Sequence, residues 1–225
     1  MNAALLLLAD ARFPSGGHAH SAGVEPAVGV GDIVDVPSLR DFVLGRLATS
    51  GLVDAAFTAA TCARCADPGP VPWAELDAEY LARNGSPRLR TVSRTLGRQL
   101  LRSGRRAWPS TRDEEATDAL GASLVQPMAM GVVAHGAGCD PQEAALCELH
   151  HLLGSSSSAG VRLLGLDPFA IAALSAALAP ELERLAAVAT RTCRAQPADL
   201  PADVALLNDV LAEHHNTWEV RLFAS

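Results

Sequence analysis

The chain has 225 residues, 18 of them cationic and 25 acidic, for a formal net charge of −7, and every cation is an arginine because the sequence holds no lysine. With 49% hydrophobic and 19% charged residues, it has enough apolar surface for a folded core. A chain of this size buries roughly 70–75% of its unfolded surface, so wholesale disorder is excluded. The acidic balance excludes a surface that grips nucleic acid or an anionic membrane all round, and the length fits one domain over 1–225.

Helical punctuation recurs along the chain, and strand alternation with hairpin turns does not. The apolar run Ala3 to Ala9 has no preceding cation and is closed by Asp10, too short for a signal core or a membrane span. Five cysteines are an odd number, so a reduced, cytoplasmic setting is expected. Asp35, Pro37 and Ser38 open a helix through Leu47, and a second is expected from Gly51 to Cys65. Pro68, Gly69, Pro70 and Pro72 break the chain before a helix from Trp73 to Arg83. Ser86 and Pro87 start the next, which runs to Trp108, since proline at the first helical position forfeits no bond. Thr111 and Glu114 read as a capping box.

Pro127 to Val133 reads as a buried apolar segment. Asp140, Pro141 and Glu143 start a helix through Leu153, with Ser155 to Ser158 as a polar break. Asp167 and Pro168 open a helix through Leu178, and Pro180 starts another. Pro197 to Pro201 separates that one from a last helix, Ala202 to His214, followed by a tail at 216–225 without helical pattern. The expectation is an all-α, single-domain bundle of eight to ten helices, with no solenoid repeat.

Several chemistries are absent. Without lysine there is no phosphate-binding G-x-x-x-x-G-K-[ST] loop and no Schiff base, and neither G-x-S-x-G nor H-E-x-x-H occurs. Cys62 and Cys65 form a C-x-x-C without the second pair that a structural zinc site needs, and they read better as two buried small residues. Cys147 with His150 or His151 supplies only two local ligands. His214 and His215 suit a helix C-terminus, where cations meet the dipole. Residues 12–25 are denser in glycine and polar groups than a plain connector. They are read as a bland loop, an anion-binding nest, a transient metal contact through His18 and His20, or a shaped docking loop.

The arginines carry the clearest anomaly. Nine lie between Arg83 and Arg112 with no acid among them, and Arg90, Arg94, Arg98 and Arg102 recur every four residues. Like charges so spaced cost about 0.2–0.5 kcal/mol per pair, so acids of this chain, an acidic partner or phosphate must offset them. Nucleic acid is the weakest of these, because no aromatics interleave to stack bases. The charge is also split: residues 1–112 hold 13 arginines against 10 acids, net +3, whereas 113–225 are net −10.

Four motifs in order resemble the UreF family of urease accessory proteins. The first is Leu5 to Leu8, then Pro14, Gly16, Gly17, Ser21, Gly23, Val24 and Glu25. The second is Ser93-Arg94-Thr95-Leu96-Gly97-Arg98 with Leu100 and Leu101, the third Pro127 with Gly131, and the fourth His215-Asn216-Thr217 followed by Arg221-Leu222-Phe223 and Ser225. Two departures stand out: aromatics are usual in the family where this chain has His18 and His20, and glutamate is usual in place of Asn216.

The resemblance implies an all-α homodimer with no catalysis of its own and no stably bound cofactor. It implies a complex with UreD (also called UreH) that recruits the GTPase UreG and delivers nickel to the urease apoprotein, with no nucleic acid or membrane partner. In this reading Pro14, Gly16, Gly17 and Glu25 shape a docking surface, and Arg94 and Arg98 pair with acids of this chain or a partner. His215, Arg221, Leu222 and Phe223 then fix the tail against UreD or the second protomer. An arginine finger acting on UreG in trans is a further reading. The alternative from another class is a metallochaperone that binds nickel directly through His18 and His20, with Cys139 or Cys147.

Overall fold

A computed structural model describes residues 3–121 and 123–224, and among these it shows the expected all-α bundle, ten helices with no strand. They are α1 Ala3–Ala9, α2 Val24–Gly29, α3 Val36–Ala66, α4 Trp73–Ala82, α5 Pro87–Ala107, α6 Thr111–Leu120, α7 Gln126–Gly136, α8 Pro141–Leu164, α9 Pro168–Arg191 and α10 Leu206–Asn216. Ser225 lies outside the described residues.

The spine is α3. Its second half, from Leu52, is rich in alanine, and residues 55–63 are buried on every side. A helix that is apolar all round has to be enclosed, and α7, α8 and α9 enclose this one. It is the one helical stretch among the described residues long and apolar enough to span a membrane, yet half of its most apolar window lies inside the bundle. Two helices were expected here. The chain instead runs through Leu47–Gly51 as a single π turn, which keeps the helix continuous while shifting its register.

Three other boundaries differ from expectation. The four serines do not break α8: Ser156 Oγ donates to the Leu152 carbonyl at 2.9 Å, so the hydroxyl is satisfied inside the helix, and Ser156 and Ser157 are small enough to be buried against neighbours. Pro180 does not start a helix either. It lies inside α9 on the solvent face, where water can serve the carbonyl that its missing N–H leaves free. Thr111 and Glu114 form no capping box; the cap of α6 is Ser110, whose Oγ accepts from the Arg112 N–H at 3.3 Å. At α8, by contrast, Asp140 and Glu143 do form the reciprocal box.

Helix α5 exposes Arg98, Arg102, Arg105 and Arg106 on its outer faces and buries Gly97, Leu100, Leu101 and Gly104 on the side toward α7. Gly97 packs against the backbone that leads into α7: a Cβ there would overlap the Leu124 carbonyl oxygen, a backbone atom with little room to yield. Gly97→Ala is therefore expected to lower stability by about 1–3 kcal/mol through overpacking. An unchanged urea midpoint would contradict this close approach.

Candidate functional site

The opening motif and the closing motif meet. The turn after Pro14 is held against α5 by Ser103 Oγ, which donates to the Pro14 carbonyl at 2.6 Å. Gly16 there has φ +85°, a backbone angle that calls for glycine, while a Cβ would meet the flexible end of the Gln99 side chain. The chain then passes Gly17–Ala19 as one 3-10 turn and enters α2, where Glu25 is buried in the first turn, its N–H bonded to Ser21 Oγ at 3.2 Å.

The Glu25 carboxylate accepts three hydrogen bonds. The Leu222 N–H donates to Oε1 at 2.6 Å, the Phe223 N–H to Oε2 at 2.9 Å, and His215 Nε2 lies 2.9 Å from Oε2. An ionised carboxylate only accepts, so Nε2 carries the proton in that contact. Burial lowers the His215 pKa, with the Glu25 charge and hydrogen bond opposing the shift and Arg221 and Arg88 adding to it.

One residue further on, the Ala224 N–H donates to the Ala19 carbonyl at 2.8 Å. Three consecutive tail amides are thus taken up by residues 19 and 25, while the Arg88 guanidinium donates to the Ala224 carbonyl. Phe223 is buried beneath the Arg162 guanidinium, 4.3 Å from ring centroid to charge centre, a cation–π contact. The edge of Trp218 covers His215 at 4.9 Å.

The expected site residues therefore separate. Gly16, Gly17, Glu25, His215, Leu222 and Phe223 belong to one assembly, although Leu222 keeps its side chain exposed. Arg221 is exposed and donates to Asn216 Oδ1 at 3.5 Å. Arg94 turns inward: its guanidinium grips Asp77 bidentately at 3.0 and 2.7 Å and also donates to the Ser123 carbonyl. Arg98 points outward and donates to Thr95 Oγ1 at 2.9 Å. His215 does more than meet the dipole of α10, since it is paired and buried. Trp218, Arg88 and Arg162 were missed as members of this assembly, and nothing in their sequence spacing marks them.

His18 is exposed and His20 half-buried. Among the described residues no three His, Cys, Asp or Glu side chains come together as metal ligands. Cys147 lies 3.9 Å from His151 Nε2, but that nitrogen is committed to the Leu8 carbonyl at 3.0 Å, and burial pushes the Cys147 thiol far up. Cys62 and Cys65 are buried small residues, as expected.

Behind the loop lies a cleft of about 330 Å³, walled by α3, α5, α8 and α10. The π turn places Arg46 and Ser50 on it, and neither Arg46 Nε nor Ser50 Oγ has a hydrogen-bond partner. Asp54 accepts from the Tyr80 hydroxyl at 2.9 Å, and Glu148 accepts from Gln126 Nε2 at 2.9 Å. Burial raises both acids, Glu148 to about 8 with the Asp54 charge adding to the shift, and Asp54 to about 6 against the hydrogen bond from Tyr80.

The described residues form an all-α bundle in which the segment at 14–25 and the tail make one surface. The family model of UreF matches residues 33–179, and the chain belongs to that family. It is 43% identical to the urease accessory protein UreF of Mycolicibacterium vanbaalenii, over 99% of this chain and 98% of that one. It is 42% identical to that of Mycobacterium sp. strain JLS, over 98% and 97%, and 35% identical to that of Mycobacterium tuberculosis, over 99% and 98%. The loop at 14–25 and the tail lie outside residues 33–179 but inside these longer matches.

Two outcomes test the geometry. Glu25→Gln sets an amide donor against one of the tail N–H groups, so amide exchange at Leu222 or Phe223 is expected to speed up by about tenfold or more, the equivalent of losing one charge-assisted bond. Unchanged exchange would refute the clamp. For Glu148, the folded state keeps a proton that the unfolded chain releases near 4.5, so stability is lost as pH rises from 4.5 to about 8. The melting-temperature advantage of Glu148→Gln over the parent should therefore widen across that window, and a pH-independent difference would overturn the assignment.

Proposed function

We propose that this chain is a non-catalytic scaffold of urease maturation, working in the cytoplasm as a homodimer. It binds UreD (UreH), recruits the GTPase UreG and modulates it, and so supports insertion of nickel into the urease apoprotein. Nickel is cargo in this reading, and the chain holds no resident cofactor. The observation that carries it is the Glu25 clamp, which joins the loop and the tail into one rigid surface out of segments that do no chemistry themselves. Rigid presentation lowers the ordering cost that a partner would otherwise bear.

Beside the clamp, α10 is apolar on two faces. Asn208, Leu211, Ala212 and His215 face inward, while Leu206, Leu207 and Val210 are 69%, 62% and 66% exposed. An exposed apolar row of this kind is the usual mark of a protein-binding surface. Arg221 and the Leu222 side chain extend it. A chain with no lysine has no phosphate loop with which to hydrolyse GTP alone, which fits a helper of a GTPase. The five free, buried cysteines fit a reducing compartment.

Co-expression with UreD, UreG and apo-urease tests the reading. Truncation after Asn216, or Leu206→Asp with Leu207→Asp in the full chain, is expected to cut UreD co-purification and urease activation by more than about tenfold, as for loss of a hot spot. The helical circular-dichroism signal of the double variant should be retained. Undiminished UreD binding by both variants would sink the proposal.

A further inference from the structure

On the opposite wall of the Pro14–His20 loop lies a second groove, of about 320 Å³, whose far side is the outer face of α5. Gly16, His18, Arg88, Thr91, Thr95 and Gln99 line it, and Ala224 closes one end. Its ionisable lining is cationic or imidazole throughout. His20, also on this wall, has its pKa lowered to about 4 by burial first and then by the charges of Arg88 and His18.

The same face of α5 continues past the groove. Arg98, Arg102 and Arg106 follow at successive turns, all exposed, and among the described residues no acid lies within 4.0 Å of any of them. Their neighbours on the helix show the contrast: Arg94 has Asp77 and Arg105 has Asp113. The offset that the arginine repeat demands is thus met inside the chain for one side of the helix and left unmet for the other.

We propose that this groove and the row Arg98, Arg102 and Arg106 form a docking site for a carboxylate-rich segment of a partner protein. The proposal rests on the scaffold reading and names the chemistry of one partner surface. Spacing favours carboxylates over phosphate: the three guanidinium groups start about 6 Å apart along the axis, one helical turn each, and so are spread to meet a row of single charges rather than converging on one dense anion. No Phe, Tyr or Trp among the described residues lines the groove as a broad platform for bases, which disfavours a nucleic acid strand. The Gln99 amide supplies a neutral donor beside the charges, whereas the Thr91 and Thr95 hydroxyls donate to the Pro87 and Thr91 carbonyls of their own helix at 3.0 Å each.

The test is titration of the intact chain with a fluorescent peptide of alternating glutamate and alanine, at low ionic strength. Saturable binding is expected, weakened by about tenfold or more in Arg98→Glu, Arg102→Glu and abolished by high salt. Arg191→Glu, an exposed arginine on α9, should bind as the parent does. Equal binding by the Arg98→Glu, Arg102→Glu variant, or no binding by the parent, overturns the site. So does a single-stranded oligonucleotide that outcompetes the peptide at equal charge, or peptide-independent self-association lost in the variant, which would assign the face to a second copy of this chain. Since both Arg98 and Arg102 are exposed, an unchanged melting temperature separates lost docking from lost folding. The UreD co-purification experiment uses α10 and the tail, so either reading can fail while the other stands.

Discussion

A single carboxylate taken out of water organises the two ends of this protein. Burying Glu25 without partners would be costly. The cost is offset by two backbone N–H groups and an imidazole, all supplied by residues 190 or more positions away in sequence. Because the donors are main-chain groups, the requirement falls on the path of the tail more than on its side chains. That path in turn seats Phe223 under Arg162 and brings Ala224 to Ala19. The loop, the end of α10 and the tail are therefore one unit, and none of them holds its geometry alone.

The bundle behind this unit serves to place it. Helix α3 runs through the centre with alanines that let α7, α8 and α9 approach closely, and α5 is pressed at Gly97 to the backbone that leads into α7. The loop rests on α5 and α8, and α10 rests on α2 and α5. The π turn in α3 is the one irregularity in the spine. Arg46 and Ser50, at that turn, line the cleft behind the loop.

Much of the fold was legible because helix starts are local chemistry. Asp35, Ser86, Asp140 and Asp167 each cap the helix they announce, with proline in the first turn. Helix continuity was harder to read, because it is decided by what lies outside the helix. Pro180 is tolerated because it faces solvent, and the serine run is tolerated because Ser156 and Ser157 are small enough to be buried and the Ser156 hydroxyl turns back on the helix. The site was half legible. The motifs at 14–25 and 215–223 could be recognised as motifs, but nothing in either says that it completes the other. Likewise, the four-residue arginine repeat showed that charge needed offsetting, without showing that Asp77 answers Arg94 while Arg98 faces outward. Pairing across such distances is a property of the packed bundle.

The separation between Glu25 and its donors also sets a clock. At about 5–20 residues per second of synthesis, the 197 positions between Glu25 and Leu222 correspond to a delay of about 10–40 s on the ribosome. During that time the loop exists and its closing strand does not. The nascent chain can fold its spine, since α3, α7 and α8 are already made, while the Glu25 carboxylate stays hydrated and the loop unpinned. The surface that joins the loop to the tail therefore forms only once residues 222–224 have been made.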